Sequence, residues 1–299
     1  MYDTTKIVTL IDKLPKELVT RIKEPFHWNN CLWLPRFNKY TGEVTHYESN
    51  LKNLKLWLRG SELTICNSLQ KFYMQNNYQA FTFCQVQDAI AKLDTYFDFD
   101  LYDAEIKKTA VAVVIDGGVD NTFKNWLEYK GNKPILMRNS TKIYGAHFKG
   151  TNYNIKGYDK TYQTKSESNT RLTKNLIRFE LEGNSRYFNN RKETIGIYKV
   201  ADLVNKNKFN ALGDELLKVY DTIKKQPIIN YKALQPKEIS LLAVMSNNAT
   251  FQGLKKYHPH TFKLFRKEYS KLLKSNNNEE LENTIRNKII EQINYCKNN

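Results

Sequence analysis

Two phenols and an amine alternate in a short run near the middle of the 299-residue chain. Tyr158, Lys160 and Tyr162 occupy every second position, so on a β-strand all three side chains would face the same way. A tyrosine attacks a phosphodiester only after losing a proton from a group whose ordinary pKa is about 10, and a nearby positive charge favours that loss. Lys160 could supply this charge. A solvent-facing strand of mixed Tyr and Lys is the alternative without chemistry.

Two acidic residues stand at comparable places in other strand-like runs. Asp116 follows the apolar run Lys108–Ile115, and Glu180 lies inside Leu176–Leu181. The second run alternates apolar and charged residues, which predicts one buried face and one working face. Carboxylates on one sheet face form an oxygen-rich site that suits Mg²⁺ or Mn²⁺, ions that stabilise the charge developing in phosphoryl transfer. The alternative for each acid is a salt bridge with a neighbouring cation.

The composition favours a polyanionic partner. The chain has 47 Lys and Arg against 31 Asp and Glu, a formal charge of +16 and a pI near 9.4, as nucleic-acid-binding proteins often have. Its 19 Tyr and 15 Phe would suit base stacking, although core packing explains them equally. No apolar run approaches the roughly 20 residues of a membrane span, and the cysteines have neither a disulfide pattern nor zinc-ligand spacing. These features predict a cytoplasmic protein without a membrane partner.

The first two thirds of the chain contain many short strand-like runs. They are Lys6–Leu10, Cys31–Phe37, Leu54–Leu58, Glu62–Cys66, Lys108–Ile115, Pro134–Met137, Lys142–Phe148, Tyr153–Tyr158 and Leu176–Leu181. Helical spacing predicts helices over Gln85–Phe97 and, in the last third, over Pro236–Met245, His260–Leu273 and Glu279–Tyr295. The expected organisation is an α+β domain with an antiparallel sheet over residues 1–205 and a helical region over 206–299.

Four blocks resemble, in order, one family of replication proteins. They are Asn67-Ser68-Leu69-Gln70-Lys71-Phe72-Tyr73 with Asn76-Asn77, Val114-Ile115-Asp116, Tyr158-Asp159-Lys160 and Leu176-Ile177-Arg178-Phe179-Glu180, after an opening Met-x-Asp and a first strand ending at Leu14-Pro15. Over roughly residues 1–190 the chain resembles the phage and plasmid replication initiation proteins of the II/X type, the family of the filamentous-phage gene II protein.

The resemblance implies rolling-circle initiation at a phage or plasmid origin. A tyrosine would cut one strand, stay joined to the 5′ phosphate, leave a 3′ hydroxyl for the polymerase and later rejoin the ends. Tyr158 would be the nucleophile, Lys160 its partner, and Asp116 and Glu180 ligands of Mg²⁺ or Mn²⁺ or their near neighbours. The implied fold is the palm-like antiparallel sheet of initiator nucleases with helices packed behind it. The implied partner is origin DNA, as supercoiled duplex and single strand, in a bacterial cell.

The sequence departs from the family pattern at two points. Related plasmid initiators often have an acid three residues after the motif lysine, where this chain has Gln163, so Glu167 or Glu182 would have to replace it. Many rolling-circle nickases also hold their metal with a His-hydrophobe-His strand before the tyrosine, which is missing here. His147 is the histidine that could serve instead. The later run His258-Pro259-His260 predicts a helix start, because proline cannot donate within a central strand.

Several further residues are candidates for DNA contact. Lys71 could bind a phosphate and Tyr73 could stack on a base, with Arg178 and Tyr162 as additional contacts. A core role is the alternative for Tyr73, and Tyr162 could be a second nucleophile or a packing residue. The basic C-terminal helices could hold origin duplex or a host helicase, or could be solvated faces. A non-catalytic origin- or single-strand-binding factor, a relaxase and a transposase fit the same composition.

Overall fold

The computed structural model describes residues 1–12, 16–20, 22–117, 122–140, 142–189, 195–225, 229, 231, 234–275 and 279–299. Within these ranges the chain is an α+β protein with one large antiparallel sheet, as the sequence predicts, and its last part is helical. The predicted end of the first strand at Leu14 and Pro15 lies outside the described residues. None of the helices described is long and apolar enough to cross a membrane.

The strands are β1 (Tyr2–Leu10), β2 (Phe26–Trp28), β3 (Cys31–Phe37), β4 (Val44–Leu51), β5 (Leu54–Arg59), β6 (Glu62–Ser68), β7 (Glu105–Asp116), β8 (Trp126–Glu128), β9 (Ile135–Asn139), β10 (Lys142–Lys149), β11 (Tyr153–Asp159), β12 (Leu176–Asn184) and β13 (Lys224–Lys225). The helices are α1 (Lys16–Val19), α2 (Leu69–Met74), α3 (Phe83–Asp94), α4 (Lys160–Ser168), α5 (Ser185–Asn189), α6 (Val200–Leu203), α7 (Lys206–Thr222), α8 (Pro236–Ser246), α9 (Asn248–Tyr257), α10 (Pro259–Ser275) and α11 (Glu279–Asn298).

Eleven of these strands form the main sheet, in the order β2-β3-β4-β5-β6-β1-β7-β12-β11-β10-β9. Every neighbouring pair is antiparallel, and the first strand of the chain lies in the middle, between β6 and β7. The order is not sequential at β1, because β6 returns to pair with it and β7 pairs on its other side. As a result, side chains from the start of the chain lie close to side chains from β11 and β12.

The two faces of β12 differ as its alternating sequence predicts. Ile177, Phe179 and Leu181 are buried in the main core, where α7 and α11 pack on β7 and β12. The ring of Phe179 meets that of Tyr220 on α7 edge-on, with centroids 5.2 Å apart. Burying a side chain of this size contributes about 1.5–3 kcal/mol. The helices therefore hold one face of β12, and the opposite face is left for Arg178, Glu180 and Glu182.

The C-terminal helices belong to two different cores. The three predicted helices are present as α8, α10 and α11, and α7, which the sequence did not predict, precedes them. Helices α7 and α11 contribute to the main core under the sheet, whereas α8, α9 and α10 pack on one another around Leu234, Leu242 and Leu272. The division of the chain at residue 205 stays a prediction.

Candidate active site

A cleft of about 580 Å³ lies on the polar face of the sheet, opposite α7 and α11. Four of the predicted site residues line it: Lys71, Tyr158, Tyr162 and Glu180. Residues that the sequence did not single out for chemistry join them from β1, the end of β6, the loop after α2 and the β9–β11 region, namely Asp3, Ser68, Asn77, Arg138, Asn139, Tyr144 and Lys156. The opening Met-x-Asp of the family resemblance was the one signal for Asp3.

The pairing of β11 with β12 brings the tyrosine and the glutamate together. Tyr158 stands opposite Arg178 and Lys156 opposite Glu180, so these four side chains share one face of the sheet. The Tyr158 hydroxyl donates to Glu180 Oε2 at 3.5 Å. The same carboxylate accepts from Arg178 Nε at 3.2 Å and from Lys156 Nζ at 3.1 Å. Glu180 is thereby fixed in position beside the phenol.

Arg178 is the centre of a buried charge cluster. Its side chain is almost fully buried, and its Nη2 lies 2.8 Å from Asp3 Oδ2. Its Nη1 donates to the backbone carbonyl of Asn77 at 2.7 Å, and Ser68 Oγ donates to Asp3 Oδ1. The guanidinium predicted to contact DNA is therefore committed to partners inside the protein. Arg178 thus joins the fourth sequence block to Asn77 of the first, and Glu180 connects it to Tyr158 of the third.

Burial and neighbouring charges shift the pKa of Tyr158 in the same direction and those of Asp3 and Lys156 in opposite directions. Burial, followed by the charge of Glu180, raises the pKa of the Tyr158 phenol well above 10, so the resting side chain is neutral. Burial alone would raise the pKa of Asp3, but Arg178 and the hydrogen bond from Ser68 hold it below its ordinary value. Partial burial opposes protonation of Lys156, yet Glu180 and Glu182 raise its pKa. Asp3 and Lys156 thus stay charged near neutral pH.

The predicted strand position of Lys160 is wrong, and Tyr162, whose spacing suits a helix as well as a strand, lies on a helix. Strand β11 ends at Asp159, and α4 begins at Lys160. Asp159 caps this helix, because its Oδ1 accepts from the backbone N–H of Tyr162 at 2.8 Å. An aspartate in this position satisfies an N–H that has no partner within the helix, and its charge favours the helix N-terminus. Tyr158 and Tyr162 still line the same cleft, one from a strand and the other from a helix.

Lys160 is not among the residues that line the cleft, and its amine is directed to a side chain other than the Tyr158 phenol. Its side chain is buried, and Nζ donates to Gln163 Oε1 at 2.8 Å. Gln163, which stands where related proteins often have an acid, in turn donates to Glu167 Oε1 at 2.8 Å. Glu167 lines the cleft and lies 3.4 Å from Lys71 Nζ. Of the two acids that could replace the missing one, Glu167 is therefore the one that reaches the site of Gln163.

Asp116 and Tyr73 lie outside the cleft. Asp116 ends β7 with a half-exposed carboxylate, 3.6 Å from Lys174 Nζ. In the sheet register it is four residues beyond Ala112, the residue opposite Glu180, which corresponds to about 13 Å along the strand. Tyr73 donates its hydroxyl to Asp88 at 3.0 Å and packs against the main core. The structure thus does not bring the predicted metal pair together.

The side chains of the cleft do not fit a divalent ion. Each carboxylate is already next to a cation: Asp3 beside Arg178, Glu180 beside Arg178 and Lys156, and Glu167 beside Lys71. Mg²⁺ and Mn²⁺ need several oxygen ligands that such contacts do not occupy. Among the residues described, no three His, Cys, Asp or Glu side chains are grouped to hold a metal. His147 stands opposite Lys156 on the neighbouring strand and is not among the residues that line the cleft.

Two tyrosines form an aromatic surface at the mouth of the cleft. The rings of Tyr144 and Tyr162 are tilted by 32° with centroids 5.2 Å apart, and both are partly exposed. Lys142 Nζ lies 5.2 Å from the centre of the Tyr162 ring, and Asn139 donates to the Tyr162 hydroxyl. Arg138 lines the same end of the cleft. Aromatic faces next to cations can stack bases and neutralise phosphates.

Comparisons with known proteins add no relative. No protein-family model matches the chain, and no curated protein matches it. The four-block resemblance to replication initiators stays a prediction. The functional inference therefore depends on the geometry of the cleft.

Gly145 sets the position of Tyr158. It faces Tyr158 across β10 and β11 at an irregularity in the register of β10. A Cβ atom at this position would lie 2.6 Å from Tyr158 Cβ and 2.6 Å from the Gly157 carbonyl oxygen, far inside contact distance. Glycine within a strand often marks such a close approach. Gly145 inside the predicted strand Lys142–Phe148 is therefore a sequence signal for the close approach of this strand to Tyr158.

We expect Gly145→Ala to lower the free energy of unfolding by about 1–3 kcal/mol and to displace Tyr158, because overpacking forces the two strands apart. Denaturant unfolding measures the first effect. Gly253→Ala is the matched control, because no atom lies within 4 Å of its added Cβ and alanine favours the interior of a helix. If both variants unfold at the same denaturant concentration, Gly145 does not constrain Tyr158.

The burial of Lys160 predicts a pH dependence of stability. Burial, followed by the charge of Arg178, lowers the pKa of Lys160 to about 8 from 10.5. Between these values the unfolded chain binds more protons than the folded chain, so this residue makes stability rise with pH. Relative to Lys160→Met, the wild type should gain up to about 3 kcal/mol from pH 8 to 10.5, as measured by urea unfolding. A difference between the two proteins that is constant with pH would contradict the lowered pKa.

Proposed function

We propose that this chain is a DNA-nicking replication initiator of a phage or plasmid, and that Tyr158 is its nucleophile. The observation that supports this best is a row of three groups: the Tyr158 phenol and, 3.5 Å from it, the Glu180 carboxylate, both lining the cleft, and the buried guanidinium of Arg178 that holds the carboxylate. A nucleophile next to a base, with the base oriented by a third group, is the usual arrangement for activating a weak nucleophile. The antiparallel sheet with helices behind it is compatible with a palm-like nuclease fold.

Glu180 acts as the general base in this proposal, rather than as a metal ligand. The raised pKa of Tyr158 keeps the phenol neutral at rest, so its proton must be removed as the oxygen attacks. The proton passes to Glu180 while the Tyr158 oxygen bonds to phosphorus and the bond from phosphorus to the 3′ oxygen breaks. The leaving oxygen takes up a proton and becomes the 3′ hydroxyl. The reverse sequence rejoins the strand and frees the tyrosine.

The cations of the cleft would hold the DNA backbone during this step. Lys71 and Lys156 line the cleft next to Glu167 and Glu180, and Arg138, which is exposed, lines it too. Positive side chains near a phosphate position the strand and stabilise the charge that builds on it. The ring faces of Tyr144 and Tyr162 would stack the bases next to the cut, which suits single-stranded DNA.

The test of the proposal includes reactions with and without Mg²⁺ or Mn²⁺, because each carboxylate of the cleft already lies beside a lysine or an arginine. The wider setting that the proposal implies is origin DNA inside a bacterial cell, with a host helicase as a further partner.

The second candidate function is single-strand binding without cleavage, since the same aromatic and basic surface would serve it. The two candidates differ in one respect, because binding alone requires no base beside Tyr158.

The test compares Glu180→Gln with wild type on supercoiled DNA of the element that encodes the chain. Reactions contain Mg²⁺, Mn²⁺ or EDTA, and a denaturing gel separates nicked DNA with protein on its 5′ end. We expect Glu180→Gln to slow nicking about a hundredfold or more, the usual contribution of a general base. Glu215→Gln is the matched control, because Glu215 also accepts from a buried tyrosine, Tyr187, at 2.7 Å but lies outside the cleft.

The outcomes separate the two candidate functions. Nicking by the wild type and by Glu215→Gln, with loss in Glu180→Gln, supports the proposal. DNA binding without cleavage by the wild type in all three reactions would favour the single-strand-binding function. Full nicking by Glu180→Gln would rule out Glu180 as the base.

A further inference from the structure

A small three-helix unit follows the main core. Helices α8, α9 and α10 contact one another, and their shared core contains Leu242 of α8 and Leu272 of α10. Phe251 of α9 and Phe262 of α10 meet edge-on with ring centroids 4.9 Å apart. One residue, His258, separates α9 from α10. The unit thus holds two consecutive helices in a fixed, closely connected arrangement.

Helix α10 has a buried apolar side and an exposed basic side. Phe262 and Leu272 are buried, and Phe265, Tyr269 and Leu273 are partly buried on the same side. Three cations, Lys263, Arg266 and Lys267, are exposed at spacings of three and four residues, which places them on one face of a helix. We call these three residues the basic face of α10.

The positive charge of this face is not neutralised locally. Residues 248–275 contain seven Lys and Arg and a single acid, Glu268. Within the described part of the chain, the basic face of α10 forms no ion pair. Exposed cations elsewhere do form such pairs, as Arg36 does with Glu48 and Lys224 with Glu128. An uncompensated row of cations on one helix matches a polyanion rather than an acidic neighbour.

We propose that the basic face of α10 binds the phosphate backbone of duplex DNA, at a site separate from the cleavage cleft. The 17 residues of α10 extend about 25 Å, enough to follow a groove of the duplex. Two helices joined by a short turn, with the second one against DNA, is a common mode of duplex recognition. The inference depends on the proposed function for its partner, DNA, but not on cleavage by Tyr158.

The test measures binding of the full chain to a short mixed-sequence duplex and to the matching single strand by fluorescence anisotropy. The variant is Lys263→Gln/Arg266→Gln/Lys267→Gln. The control is Lys39→Gln/Lys55→Gln/Arg59→Gln, which removes the same charge from exposed positions on or next to β3 and β5. Circular dichroism establishes that both variants are folded, as expected for surface substitutions.

We expect the α10 variant to bind the duplex at least about tenfold more weakly than the control, with the slope of log K against log salt reduced by about two to three. Its affinity for the single strand should equal that of the control. Equal duplex affinity of the two variants would overturn the inference. That result is also the one expected if the basic face of α10 binds a protein instead of DNA. Loss of duplex binding in a chain that nicks no DNA would uphold it while removing the cleavage proposal.

Discussion

Tyr158→Phe is expected to reduce the rate of strand cleavage by more than about a thousandfold, as removal of a nucleophile does in other covalent enzymes. The substitution keeps the ring, which is 5% exposed, and removes one long hydrogen bond to Glu180. The fold should therefore survive, and affinity for single-stranded DNA should stay within a few fold of wild type. Single-turnover cleavage of an origin oligonucleotide measures the rate, and anisotropy measures the affinity.

Two control variants make this result specific. Tyr187→Phe removes another buried hydroxyl that donates to a glutamate, outside the cleft, and should cleave at the wild-type rate. Tyr162→Phe tests the second phenol of the cleft, which should affect binding more than the chemical step. Cleavage by Tyr158→Phe at the wild-type rate, with loss in Tyr162→Phe, would move the nucleophile to α4.

Arg178→Met is expected to lower the free energy of unfolding by about 3–5 kcal/mol, the usual cost of removing one partner from a buried ion pair. Methionine fills much of the same space, but Asp3 and Glu180 would lose the guanidinium that compensates both charges. Urea unfolding at neutral pH measures the change. Arg138→Met is the control, because an exposed arginine outside the ion pairs of the described residues should change stability by less than about 0.5 kcal/mol.

A triple variant distinguishes lost charge compensation from lost packing. Asp3→Asn/Arg178→Met/Glu180→Gln removes the uncompensated carboxylates as well, so it should recover a large part of the stability that Arg178→Met loses. If the triple variant is less stable than Arg178→Met, Arg178 stabilises the fold mainly through its packing.

The sequence predicted the strands well because their alternation is local. The runs from Cys31 to Phe37 and from Lys142 to Phe148 match β3 and β10 to within one residue. Strand β4 was missed because Val44–Leu51 is mostly polar, and it is held in place by pairing with β3 and β5 on either side. Helix α7 was missed although its buried Phe209, Leu212, Leu216 and Val219 recur at helical spacing, so its signal was present in the sequence.

The site was predicted where strand register decides it and missed where turns do. Tyr158 and Glu180 meet because β11 and β12 pair, and both residues lie in runs that the sequence predicted as strands. Lys160 does not take the strand position expected from its alternation with Tyr158, because the preceding aspartate caps a helix that begins at Lys160. The meeting of Asp3 and Arg178 depends on β1 lying in the middle of the sheet, which spacing along the chain cannot specify.

The position of the covalent bond tests the proposed mechanism most directly. After cleavage of an origin oligonucleotide, trypsin should cut after Lys156, Lys160 and Lys165 and so separate Gly157–Lys160 from Thr161–Lys165. Each peptide contains one candidate phenol, and mass spectrometry identifies the one that retains the 5′ phosphate. We predict that the nucleotide is attached to Gly157–Lys160, through Tyr158. A nucleotide on Thr161–Lys165, or on neither peptide, would contradict the assignment of Tyr158 as the nucleophile.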